Sequence, residues 1–410
     1  MKYSRTGLLS LIMLFIVPLF SFFFVFFKIN KSTKKYLVII LTLFTFFILL
    51  RIPPFQDLFR RYFETYMIYS PSTTLKQAVG GHVDIFLWIN AYVFYKLHIP
   101  FYFIPALYGS ISIYTVSKTA LSLFYKFNID KPSTTVLGIL LSVSFVNILV
   151  TALGLRFGLA TALMVSSVID LCILRKKIKG FLKLVIALTL HFSTLLIIVA
   201  IIASKFVKIN RKFSVWLFLI LLPFSKLILP IVASSLGGVG GYVMAGYVNG
   251  AYATIAPNLN EFIVTFYKVA FSTFFLVYIH YRSSENAVYS NFISWYLILI
   301  SFTFLSFTAF MRYYYDIGVV LGVMNFIISK KFIDRSKIGT YLIVISIIFN
   351  NLFLNVFLER RPILLAQMWK GFFISPVFMI YYTTEDFNSY LKSINSVGEW
   401  KGHETTDDRK

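Results

Sequence analysis

Apolar runs of close to 20 residues, about the length needed to cross a bilayer, follow one another along almost the whole chain. Short turns rich in lysine and arginine part them. That pattern predicts an all-α, polytopic transmembrane helical bundle of about 10–12 spans. It forms one integral membrane domain over 1–382, with a polar cytoplasmic tail over 383–410. With 58% apolar and 19% aromatic residues, no stretch remains for a water-soluble domain of any size. The net charge of +23 is then read as orientation and contact with anionic lipid, not as a nucleic-acid surface. The single cysteine, Cys172, lies in an apolar run and supports neither an internal disulfide nor a cysteine-based metal site.

The run from Gly7 to Phe27 reads as a retained first span and 36–51 as the second. The turn with Lys28, Lys31, Lys34 and Lys35 between them is expected in the cytoplasm, which puts the 52–82 loop outside. Within that loop Phe55, Leu58, Phe59, Tyr62 and Phe63 recur at helical spacing among Asp57, Arg60, Arg61 and Glu64, predicting an interfacial amphipathic helix. Asp84 to Leu97 is short enough to be a half-span or surface helix, and 99–124 and 135–152 follow as crossings. The next span, 155–174, carries Arg156 at its external end and the basic Arg175, Lys176, Lys177, Lys179 turn at the other.

If 181–204 crosses simply, the later basic turns around Lys208 and Lys330 both fall outside, against the positive-inside preference. A re-entrant segment between 179 and 236 resolves this, broken at His191-Phe-Ser-Thr or around Pro223, Lys226 and Pro230. A Gly-rich external loop over 237–260 is expected next, then spans at 261–281, 289–310, 313–329, 339–358 and 363–382. On that parity Arg312, with Tyr313 to Asp316, stands at an external helix end, and Glu359, Arg360 and Arg361 also face outside.

No nucleotide fingerprint, phosphate-cradling lysine loop or zinc-type histidine spacing is present, and no cofactor is implied. The ionisable groups are arginines, one histidine within an apolar run and a few carboxylates. Arginine holds phosphate through a planar, always-charged fork, and histidine exchanges protons near neutrality. Together they suit a lipid-linked pyrophosphate and proton transfer at a hydroxyl. Each has a plainer role: Arg156 as an interfacial anchor, His191 as a helix-to-helix hydrogen bond, Arg60, Arg61 and Glu64 as a solvated helix face. The aromatic residues are mostly packing and interfacial belt, with Tyr62, Tyr66 and Tyr69 able to stack on sugars; Asp170, beside the basic turn, takes a structural role.

The order of these features resembles the EpsG-like, Wzy-type family of bacterial polysaccharide polymerases, relatives of the O-antigen ligases. The resemblance rests on Arg51, Asp57 and Tyr66 in the external segment, on Arg156-Phe-Gly-Leu-Ala160, on the Arg-Lys-Lys-Ile-Lys turn, on His191-Phe-Ser193, and on Arg312 with Tyr313. It covers about residues 1–330, and departs at Pro54-Phe55-Gln56-Asp57-Leu58, where the family has Gly-Thr-Asp-Tyr. It implies an inner-membrane glycosyltransferase, working on the periplasmic side without metal, that moves a growing glycan from undecaprenyl pyrophosphate onto a lipid-linked repeat unit. Arg156 and Arg312 would hold the pyrophosphate and His191 would act as base, with Asp57 or Glu64 as alternatives. Arg51, Arg60, Arg61, Tyr62, Glu64, Tyr66 and Tyr313 would contact substrate. Partners so implied are membrane lipid, a chain-length regulator and a flippase. An O-antigen ligase, a lipid-linked oligosaccharide flippase and a purely structural membrane protein stay open as alternatives.

Overall fold

A computed structural model describes residues 5–27, 34–82, 84–235, 241, 259–282, 285–329, 332–333, 336–358, 368–395, 398–399 and 401. Nearly all of the Gly-rich stretch, the residues Lys28, Lys31, Lys330 and Lys331, and Glu359, Arg360 and Arg361 lie outside these, as does 402–410. The described residues are helical, without a β-strand. They cluster into two compact units, one of 1–163, 185–192 and 343–410, the other of 164–184 and 193–342.

Among the described residues two helices, Leu259–Arg282 and Ile338–Val356, are long and apolar enough to cross a membrane by length and composition. Four further apolar helices run 10–17 residues. Polar or proline residues cut the runs read from the sequence as single crossings. The first breaks between Arg5–Ile16 and Pro18–Phe27, because Pro18 cannot donate to the preceding turn. Ser21 Oγ then donates to the Ser10 carbonyl at 2.6 Å, so Gly7 to Phe27 is a hairpin and not one straight span. The 135–152 run divides into Pro132–Ser144 and Ile148–Leu153 at Asn147, whose side chain accepts from the Val150 N–H as an N-cap. Both predicted break points between 179 and 236 interrupt helix: Lys177–Leu190 ends at His191, and Arg211–Leu221 is followed by Ser225–Ser235 with Pro230 inside it.

In the first unit the central pair is Lys34–Leu49 against the 24-residue Phe103–Lys126. Lys34 Nζ donates to the Asp130 carbonyl at 3.2 Å, joining the start of the first of these helices to the turn that follows the second. A buried amide network binds Ser346–Leu358 to the Asn147 break: Asn147 donates to Asn355 Oδ1, and Asn351 Nδ2 donates to the Ser144 carbonyl at 2.7 Å. Such interhelical hydrogen bonds replace the hydrophobic drive that is missing among apolar surroundings.

Two expectations at the C-terminal end need correction. The described part of 363–382 holds two short helical turns, Met368–Phe372 and Pro376–Ile380, and not a continuous crossing; Ser375 caps the second and stops the first from extending. The tail, expected to be loose and cytoplasmic, forms the helix Thr384–Lys392 behind a capping box of Thr383 and Asp386. Its Phe387 is buried against Tyr62 and Phe101, with ring centroids 5.1 and 6.3 Å away, and the Gln56 N–H donates to the Gly398 carbonyl at 2.8 Å. The tail therefore packs on the 52–65 segment within this unit and is not loose.

In the second unit Ala287–Ser301 packs against Thr194–Phe206 and Arg211–Leu221. Its Asn291 closes the turn between those two helices, accepting from the Ile209 N–H and donating to the Ser204 and Val207 carbonyls. Leu259–Arg282 lies so close to Gly318–Ile327 that a Cβ at Gly322 would come within 2.5 Å of the Phe275 backbone. The buried Asp170 pairs with the half-buried Lys183, with Ser166 also accepting from Lys183.

Candidate functional site

The helix Asp57–Glu64 is eight residues long, shorter than the amphipathic stretch read from the sequence, because Thr65 turns inward and bonds the Arg61 carbonyl. Its polar residues do not form one solvated face. Arg60 and Phe63 point outward, whereas Leu58 and Arg61 are buried. Arg61 is held there by one carboxylate a turn before it and one a turn after: Nη2 donates to Asp57 at 3.0 Å and Nη1 to Glu64. Its guanidinium also lies over the Trp88 ring, 5.9 Å from the centroid.

A second arginine–carboxylate pair stands beside the first. Asp84 precedes the Ile85–Lys96 helix, and its Oδ2 accepts from Arg156 Nη1 at 2.8 Å. Arg156 is the first residue of Arg156–Cys172, aimed there by the tight passage Gly154-Leu155, in which Leu155 takes a φ of 37°. The Asp84 side chain is 7% exposed and that of Arg156 20%. Burial pushes the Asp84 carboxyl above its ordinary value; Arg156, the Phe192 backbone N–H and Arg61 each pull it back without reversing the shift.

Between the two pairs lies His82, which the sequence did not mark. It follows the Thr74-capped helix Leu75–Val79 and Gly81, whose φ of 81° makes the turn. The exposed imidazole stacks face to face on Trp88, ring centroids 3.6 Å apart and planes 11° apart. Burial of one face lowers its pKa; Glu64 opposes that, and Arg61 and Arg156 reinforce it. His191 belongs to the same unit. It is 7% exposed, packed between Phe157 at 5.2 Å and Phe192 at 4.9 Å.

The structure thus gathers Asp57, Arg61, Glu64, His82, Asp84, Trp88 and Arg156 around one centre, with His191 joined through Phe157 and the Phe192 amide. The EpsG family profile matches residues 34–370. The chain belongs to the EpsG family. This EpsG-like, Wzy-type polymerase family consists of membrane proteins, and its members are glycosyltransferases of the polysaccharide-polymerase type. No curated protein and no solved structure matches the chain.

Other residues singled out in this EpsG chain sit elsewhere. Arg51 donates to the Phe378 carbonyl at 3.4 Å and lies over Tyr382, so it fastens the C-terminal segment. Tyr66 donates to the Ile99 carbonyl at 2.7 Å and packs on Tyr95 and Phe101, while Tyr62 packs on Phe101 and Phe387. Arg312 and Tyr313 belong to the second unit. Arg312 is not at a helix end: Ser306 caps the helix ahead of it, and Arg312–Ile317 is a π-helical turn within 307–327. Tyr313 donates from its hydroxyl to the Ser193 carbonyl at 3.2 Å. One sequence signal could have found Asp84: a carboxylate immediately ahead of an apolar run, just after a Gly-Gly turn.

Proposed function

We propose that this protein is a surface-polysaccharide polymerase, multi-pass in a bacterial inner membrane, with its site on the periplasmic side. It transfers a growing glycan from undecaprenyl pyrophosphate to a hydroxyl of a lipid-linked repeat unit. The observation that carries this is the pair of carboxylate-held arginines, Arg61 and Arg156, set around one exposed imidazole. Carboxylates fix the guanidinium planes in advance, so little reorganisation is needed when charge develops nearby. Arg156, one nitrogen taken by Asp84 and a fifth of its side chain exposed, is the group for the pyrophosphate.

In the reaction the acceptor oxygen bonds the anomeric carbon, and the bond from that carbon to the pyrophosphate breaks. The electron pair goes to the leaving phosphate oxygen and the acceptor proton to a base on the protein. His191 is the base suggested by the family resemblance. The leaving group is already activated, so the proposal needs no nucleotide and no metal. Membrane lipid, a flippase and a chain-length regulator are its expected partners, and O-antigen is one product class it could make.

The test is a gel ladder of surface polysaccharide from a strain lacking the protein, complemented with wild type or Arg156→Ala at matched membrane levels. A ladder that collapses to a single repeat unit in the deletion and in the variant supports the proposal. Loss of even the single unit favours ligation or flipping. An unchanged ladder in the deletion removes the polymerase reading altogether.

A further inference from the structure

Two histidines of the first unit differ in what they could do for a substrate. The His191 ring is buried, with aromatic neighbours at its faces and edge, Phe192 stacked and Phe157 edge-on. The His82 ring is exposed, and only one of its faces is used. Among the described residues nothing hydrogen-bonds either His82 nitrogen, so the in-plane edge that exchanges protons is open. We propose that His82 is the base that receives the acceptor hydroxyl proton, held for that task by the face of Trp88.

This rests on the polymerase reading and adds its missing contact between protein and acceptor. Trp88 is only 2% exposed and is itself covered by the Arg61 guanidinium, so the surface under the imidazole is rigid. A ring stacked at 3.6 Å can slide or turn in its plane but cannot tip, which fixes the plane in which a hydroxyl must approach. The charged groups acting on it are Glu64 and Arg61 from the helix Asp57–Glu64, and Arg156 from the head of its own helix. Burial of the stacked face disfavours the imidazolium, and Arg61 and Arg156 add to that against Glu64, so the ring is kept in the form that accepts a proton near neutrality. As the acceptor oxygen bonds the anomeric carbon, its proton passes to a His82 nitrogen while the glycosyl–phosphate bond breaks. The resulting imidazolium then returns its proton to water across its exposed edge. In this arrangement His191 is a positioning residue: its ring stacks on that of Phe192, whose backbone N–H favours the ionised form of Asp84, the carboxylate that holds Arg156.

The experiment is a rate measurement on the full chain in liposomes, with lipid-linked repeat units extracted from the deletion strain as substrate. Wild type, His82→Gln, His191→Gln and His98→Asn are compared from pH 5 to 8. His98, another exposed histidine of this unit, is the control. The proposal expects His82→Gln to lower kcat by about 10²–10⁴-fold with KM little changed, and to abolish the fall in rate on the acid side. Imidazole added to His82→Ala should restore part of the rate. His191→Gln should lower the rate yet keep the acid limb. If His82→Gln keeps both the wild-type kcat and the acid limb, or if His191→Gln is the variant that loses that limb, His82 is not the base. If wild type itself makes no polymer from these units, the polymerase reading fails before His82 is tested.

Discussion

Replacing Asp84 by Asn separates what the Asp84–Arg156 pair does for stability from what it does for the site. With 2.8 Å between the bonded atoms, the charge centres stand about 4 Å apart, and at an effective dielectric near 20 their attraction is roughly 4 kcal/mol. The carboxyl is nonetheless raised above its ordinary value, so the loss of hydration exceeds that attraction and the help from Phe192 and Arg61. The sign follows. A folded state that binds the proton more tightly is favoured by Asp84 below about pH 4, and that contribution is lost as pH rises through the raised folded value. At pH 7 the ionised carboxylate therefore weighs against folding. Asn removes that burden, whereas Arg156 loses the charge of the Asp84 carboxylate and keeps some access to water. The two changes oppose each other, and denaturant or thermal unfolding at pH 7 should shift by about 1 kcal/mol or less. Polymerisation should fall by about 10- to 100-fold, or roughly 1.4–2.7 kcal/mol in the barrier, because the guanidinium plane is no longer held. Full activity would refute the orienting role. A loss of stability above about 3 kcal/mol would show instead that the pair is a structural brace.

Gly158→Ala should impair the same site from behind: the added Cβ would meet Thr151 Cα at 2.3 Å, pushing the Arg156 helix off Ile148–Leu153. A destabilisation of about 1–3 kcal/mol, with activity lost before the fold, is expected from unfolding and rate measurements on purified protein. In the second unit, Asp170→Leu or Lys183→Met alone should cost about 3–5 kcal/mol by stranding a buried charge, and the double variant should recover most of it. Equal losses in the single and double variants, read from thermal unfolding, would show that the pair is not the source of the cost.

Which of these features could be read in the letters depended on contrast with the neighbourhood. Arg156 and His191 stand out because each interrupts an apolar run, and one helix does start at Arg156 while the next stops just before His191. Arg61 was visible as a charge, but the eight-residue helix that buries it and exposes Phe63 contradicts its hydrophobic pattern, since two flanking carboxylates outweigh the periodicity. His82 and Asp84 follow a polar loop where charged residues are ordinary, and only a partner 72 positions away gives Asp84 its meaning. Apolar runs predicted helices well and crossings poorly: Pro18, Asn147 and Ser306 divide or cap what length alone would join.

The docking of Phe387 on Tyr62 reaches beyond local packing. Two segments that touch must occupy one compartment, so the number of times the chain crosses between them is even, whichever helices do the crossing. An alkaline phosphatase joined at the C-terminus should be active, and a green fluorescent protein joined there dark, whenever a tag inserted near Ser72 is reachable from outside the cell.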